Sequence, residues 1–153
     1  MSLTSFSLKT VQSFVSLTLV LWAHLIVAQN PNELNVADVI EQNGVIIHAE
    51  LENCDNIANG TFKQYIILTI ENQNAVAKQV SYKKDVWYNG VCSSCDSESQ
   101  EYVVKFTIDP NDTLKGDCEE NNGLRIFSQM LNLPKVRKLT HYELSNLIVE
   151  DVD

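Results

Sequence analysis

The feature that most restricts the fold is a two-residue alternation of apolar and polar side chains, repeated in short runs from Val45 onward. In residues 45–53, VIIHAELEN, one phase holds Val45, Ile47, Ala49 and Leu51. The other holds Ile46, His48, Glu50 and Glu52. Side chains of an extended chain point alternately to opposite faces, so this run reads as a half-buried strand. Residues 62–71, FKQYIILTIE, carry β-branched and aromatic residues in both phases, which suits a central strand. Residues 76–88 keep Val76, Val80, Tyr82, Val86 and Tyr88 in phase, but Lys83-Lys84-Asp85 interrupts them and suggests an edge strand or a bulge. Residues 101–108 turn Tyr102, Val104, Phe106 and Ile108 inward, residues 113–117 form a short strand, and residues 138–149 a last long one. Residues 124–131, LRIFSQML, fit a helix through Leu124, Phe127 and Leu131. Their eight-residue length and strand neighbours favour a strand.

Turn chemistry separates these runs: Asp55 to Gly60, Asn72-Gln73-Asn74 (read as a hairpin), Asp109-Pro110-Asn111-Asp112, and Asn132-Leu133-Pro134. Seven strands without a long helix predict an all-β antiparallel β-sandwich over residues 44–153. Residues 29–43 read as a leader or a first short strand. A chain of 153 residues can bury one such core but not two.

The N-terminus reads as an export signal. Residues 1–28 hold Lys9 and no acidic residue, Phe14 to Val27 is almost wholly apolar, and Ala28 precedes an abrupt return to polarity at Gln29. The apolar run is shorter than the ~20 residues of a membrane-spanning helix. Cleavage after Ala28 is therefore expected, with no later membrane span, and a secreted or periplasmic location.

That compartment decides how the cysteines are read. Cys92 and Cys95 form a C-x-x-C in the stretch VWYNGVCSSCDSESQ, and Cys54 and Cys118 flank it. In an oxidising compartment an even number of cysteines reads as disulfides. Four allow three connectivities; Cys92–Cys95 with Cys54–Cys118 is the pairing favoured here. Strand order alone would gather all four at one pole. The competing readings are a four-thiolate zinc site and a thiol-redox centre. Zinc has one good half in C-x-x-C and isolated partners. Redox lacks the helix that lowers a thiol pKa.

Other candidates are weaker. Asp96, Glu98, Glu101, Asp109 and Asp112 are turn carboxylates without EF-hand spacing. His48 and His141 have no partnered nucleophile in the pattern, so no catalytic residue and no enzyme activity are expected, and no metal or cofactor. Trp87, Tyr88 and Tyr82 are candidate binding aromatics. Two triplets, Asn59-Gly60-Thr61 and Asn111-Asp112-Thr113, fit the N-glycosylation acceptor pattern, which matters only in a eukaryotic exporting cell. A formal net charge of −9 argues against nucleic acid as a partner. The expected function is a secreted non-enzymatic module that binds a protein, a carbohydrate or a surface polymer, or plays a structural role.

YIILTIEN, a strand ending VWYNG, then EYVVKFTIDPNDT, LRIFSQML and KLTHYELSNLIV together resemble an immunoglobulin-like or fibronectin-type-III-like sandwich. The export signal ending VAQ is similar to those of small secreted proteins of Bacteroidetes bacteria. The resemblance implies the sandwich fold and carries no catalytic residues with it. Trp87 does not stand midway between two cysteines as the tryptophan of antibody domains does.

Overall fold

The computed structural model describes residues 34, 36, 39–119 and 122–152. The signal segment 1–28 and most of 29–38 lie outside the described residues. Nine strands appear: β1 (Ile40–Gln42), β2 (Val45–Asn56), β3 (Thr61–Asn72), β4 (Lys78–Tyr88), β5 (Val91–Cys92), β6 (Val103–Ile108), β7 (Thr113–Lys115), β8 (Arg125–Met130) and β9 (Leu139–Asp151). Single 3-10 turns cover Ile57–Asn59 and Gln100–Tyr102. All seven expected strands are present; β1 and β5, the additions, are short.

Every pairing is antiparallel. One sheet runs β1-β2-β3, with β7 and β8 placed in line along the far edge of β3. The other runs β9-β4, with β6 and β5 in line along the far edge of β4. The inward phases meet in one core: Val45 and Ile47 of β2, Ile66, Leu68 and Ile70 of β3, Val80, Tyr82 and Val86 of β4, Val104 and Ile108 of β6, and Tyr142, Leu144 and Val149 of β9. The result is an antiparallel β-sandwich. β8 resolves the ambiguous segment through its own alternation, with Ile126 and Ser128 buried and Arg125, Phe127 and Gln129 half-buried on the other face.

Two sequence expectations need correction. β4 is not an edge strand: β9 covers one side and β6 and β5 most of the other. The expected bulge is real but lies on β9, where Asn146 takes a left-handed φ of 52° and the register shifts opposite Ser81–Lys83. The Asn72-Gln73-Asn74 turn does not close a hairpin; it carries the chain from one sheet to the other. The apolar residues in both phases of β3 do mark a central strand: β2 pairs one edge and β7 and β8 the other, which leaves β4 no edge to join.

Asn72 is what makes that crossing rigid. It is fully buried. Its side-chain amide donates to the carbonyls of Val76 (2.9 Å) and Asp109 (2.9 Å), and its oxygen accepts from the Asn74 backbone N–H at 3.0 Å. Its backbone N–H donates to the Asp112 carbonyl at 2.9 Å. Both inter-sheet connections at this end are thus tied to one side chain. Asn72→Ala would leave buried acceptors without donors and should destabilise the domain by about 2–3 kcal/mol. Urea unfolding measures this, and an unchanged midpoint would contradict it.

Candidate functional site

The site begins with a break in a sheet edge. β6 pairs with β4 only as far as Lys83, and β5 only at Trp87 and Tyr88. Residues Lys84 to Val86 therefore have no strand on that side, although buried backbone groups require partners. The cysteine loop supplies them. Asn89 and Gly90 adopt φ of 50° and 81°, the two left-handed residues that a tight Asn-Gly hairpin turn needs. The turn sets Cys92 opposite Trp87. A Cys92–Cys95 disulfide then closes a short loop that drives Ser94 inward until it is fully buried. The Val86 N–H donates to Ser94 Oγ at 2.8 Å, and the Ser93 N–H donates to the Val86 carbonyl at 2.8 Å.

The same loop anchors a charged group on the outer face of β4. Asp85 is buried and accepts from the Ser145 hydroxyl (2.6 Å), Lys83 Nζ (3.1 Å) and the Ser94 hydroxyl (3.4 Å). Burial pushes the Asp85 pKa up. The hydrogen bonds from Ser145 and Lys83 outweigh that and hold it below the usual carboxylate value. Lys83 Nζ also donates to the Cys95 carbonyl at 2.8 Å.

The second disulfide joins Cys54 to Cys118, as expected, a sequence separation of 64. Between β7 and β8 the chain leaves the edge of β3 and crosses the outer face of its sheet to reach β2. Ile67, on that outer face, is fully buried. The chain returns at Gly123, where φ is 84° and a side chain would strike Val104. The two disulfides lie towards the same end of the sandwich but on opposite outer faces, so the four sulfurs do not form one cluster. With all four in bridges, no free thiolate is present to ligate zinc. Two disulfides fit an oxidising environment. Among the described residues, no helix is long and apolar enough to cross a membrane.

The three candidate aromatics do not share a face. Alternation places Trp87 on the outer face, where its ring lies 4.7 Å from that of the exposed His141. Tyr82 points into the core, its hydroxyl donating to the Gly123 carbonyl at 3.4 Å and its pKa pushed far up by burial. Tyr88 points inward at the strand end and donates to the Phe127 carbonyl at 2.8 Å. His48 is exposed on β2.

Tyr88 does border a site. The break in the edge of β4 faces the edge of β8 across the sandwich, and between them opens a cleft of about 220 Å³. Lys84, Val86 and Tyr88 come from β4, Glu101 and Tyr102 from the 3-10 turn before β6, and Arg125, Ile126 and Phe127 from β8. A second hollow of about 230 Å³ adjoins it, sharing Lys84 and Glu101 and reaching Lys105 and Gly123. Lys84 Nζ donates to the Gly123 carbonyl at 3.4 Å. Burial, and then the neighbouring Arg125, pull its pKa down. Arg125 donates to the Cys118 carbonyl at 2.6 Å and lies 5.0 Å from the centre of the Tyr65 ring. Arg137 lies 4.9 Å from the centre of the Tyr88 ring and donates to Ser93 Oγ at 2.7 Å. A hydrogen bond to Glu101 raises the Tyr102 pKa, so the phenol donates to the carboxylate. Among the described residues the ion pairs are Lys78–Asp151, Lys83–Asp85 and Lys115–Glu50. Lys84, Arg125 and Arg137 are in none of these.

Comparison of the chain with protein-family models, with curated proteins and with solved structures finds no match in any of the three. The site must therefore be read from its own chemistry. It offers cations that lie outside the ion pairs of the described residues, aromatic side chains and one carboxylate, a set suited to holding a ligand. Sequence reasoning found Tyr88 and missed Lys84, Glu101, Tyr102, Arg125, Phe127 and Arg137 as site residues. One signal was readable: Lys84 shares the inward phase of Val80, Tyr82, Val86 and Tyr88.

Two measurements probe this framework. Cys54→Ser should lower stability by about 2–5 kcal/mol by freeing a long loop in the unfolded chain, read as a drop in melting temperature. An unchanged melting temperature would show that the bridge does not constrain the domain. Asp85, with its folded pKa depressed, stabilises the fold above its ordinary pKa and loses that contribution as pH falls through the folded value. Stability should therefore drop on acidification below about pH 4. Asp85→Asn should flatten that part of the pH–stability curve; an unaltered slope would mean the carboxylate does not titrate as its contacts require.

Proposed function

We propose that this protein is an exported, non-catalytic β-sandwich module that binds a small anionic ligand in the cleft between β4 and β8. The observation that carries the reading is that Lys84 and Arg125 share this cleft with Tyr88, Tyr102 and Phe127 and have no carboxylate in an ion pair among the described residues. Burial and the neighbouring Arg125 disfavour the charge on Lys84 more than Glu101 favours it, and an incoming anion relieves that penalty. The cleft lining contains no histidine and no thiol, which favours binding over nucleophilic or histidine-based catalysis. Two disulfides and the apolar N-terminal segment support export.

The order of strand use supports kinship with immunoglobulin-like domains. Of the long strands, β2, β3 and β8 build one sheet and β4, β6 and β9 the other. In the lettering of that fold these correspond to A, B and E against C, C′ and F; among the described residues no strand takes the place of G. The side chains of Gln42 and Asn43 donate to the carbonyls of Leu147 and Val149, on the β9 side where G would lie.

Export predicts that the protein recovered outside the cytoplasm begins at Gln29 and contains no titratable thiol before reduction. Binding predicts that acetate, titrated into isotope-labelled exported protein, shifts backbone amides at Lys84, Glu101–Tyr102 and Arg125–Phe127 in a saturable, salt-sensitive manner. Shifts spread evenly over the lysines and arginines of the surface would overturn the cleft as the site.

A further inference from the structure

We infer that the ligand of this cleft is a small sugar acid: one pyranose-sized ring bearing a carboxylate and free hydroxyls. The inference rests on the cleft being the binding site and names what fits it. Size comes first. A cleft of about 220 Å³ is smaller than the ~300–1,000 Å³ of sites that enclose drug-sized ligands, so the space beside Arg125 takes one ring; the adjoining hollow has neither an arginine nor an aromatic residue in its lining. Charge comes second. Arg125 spends one guanidinium nitrogen on the Cys118 carbonyl, and the rest of its planar fork can meet a carboxylate in two parallel hydrogen bonds, with Lys84 beside it.

The surroundings of those cations argue against a polyanion. The chain carries a net charge of −9, and the field of such a surface repels a multiply charged partner at long range while penalising a single carboxylate far less. Glu101 stands inside the same cleft, and a ligand that was anionic throughout would be repelled there too. A ring with hydroxyl donors meets it instead, because an ionised carboxylate only accepts hydrogen bonds. Tyr102 and Phe127 border the cleft, and the negative π-cloud of an aromatic ring attracts the slightly positive C–H face of a pyranose. Cation, hydroxyl acceptor and stacking face thus occur together, and a sugar acid carries the complement of all three.

The test uses the exported protein and four probes: glucuronate, glucose, acetate and a short Asp/Glu-rich peptide, followed by amide shifts and calorimetry. Glucuronate should bind at least about tenfold more tightly than either glucose or acetate, since it alone uses both charge and hydroxyl contacts. Lys84→Met, which keeps the length of the side chain and removes its charge, should weaken glucuronate by about tenfold. Glu101→Ala should weaken glucuronate yet strengthen acetate, because it removes a hydroxyl acceptor and a like charge together. Circular dichroism confirms that each variant is folded. Glucuronate binding no better than acetate, or an acidic peptide binding more tightly than glucuronate, overturns the sugar acid and leaves the anion-binding cleft standing. Absence of saturable shifts with both acetate and glucuronate removes the cleft reading itself.

Discussion

The unpaired edge of β4 between Lys84 and Val86 is the constraint on which the rest depends. A central strand of a buried sheet cannot leave backbone groups unsatisfied, because each orphan would cost about 1–3 kcal/mol. Extending β6 by three residues would have solved the problem and sealed the sandwich. Here a side chain does the work: Ser94 Oγ accepts the Val86 N–H, and a disulfide two residues wide holds the serine in place. Both backbone groups of Val86 are satisfied, but the interstrand wall is lost, and so the inner face of β4 stays open at Lys84. The loop that seemed to carry the chemistry is thus the support for a site next to it.

The opposite sheet has a matching interruption. β7 and β8 share the edge of β3 and are separated at Leu68, whose N–H bonds the Leu124 carbonyl and whose carbonyl accepts from Gly116. The intervening chain is thrown across the outer face and clamped to β2 by Cys54–Cys118. That clamp orients Arg125, since the guanidinium is tied to the Cys118 carbonyl. Each disulfide therefore positions one cation wall of the cleft: Cys92–Cys95 through the break at Lys84, Cys54–Cys118 through Arg125. In a small sandwich whose core is shared by short strands, such cross-links keep two broken edges from sliding past one another.

The alternation of residues 45–53 and 101–108 made the fold legible, because burial of one face forces a period of two. The disulfide pairing was legible from compartment and spacing. The crossing at Asn72 was not, since a turn between sheets and a turn within one use the same Asn-rich chemistry, and only the buried amide distinguishes them. The cleft was mostly hidden for a related reason. Its walls come from residues 84–88, 101–102 and 125–127, and sequence distance conceals a site assembled by two interrupted edges. Lys84 was the exception, a charge in an apolar phase. It was absorbed into the reading of Lys83-Lys84-Asp85 as the mark of an edge strand or a bulge. In fact the three side chains part: Lys83 and Asp85 pair on the outer face, and Lys84 goes inward.

That separation bears on why the lysine is there. The outer pair is fully engaged, with Ser145, Ser94 and the Cys95 carbonyl completing its hydrogen bonds. Structural need for charge on β4 is met by those two residues. Lys84 contributes one long contact to the Gly123 carbonyl, loses hydration and feels repulsion from Arg125, which the attraction of Glu101 does not offset. A leucine or methionine at this position would continue the apolar phase and relieve both penalties. Natural sequences depart from local consistency of this kind mainly where function requires it. An inward lysine facing an arginine, on an otherwise acidic chain, is such a departure, and the proposed anion would be the partner that reconciles it with the fold.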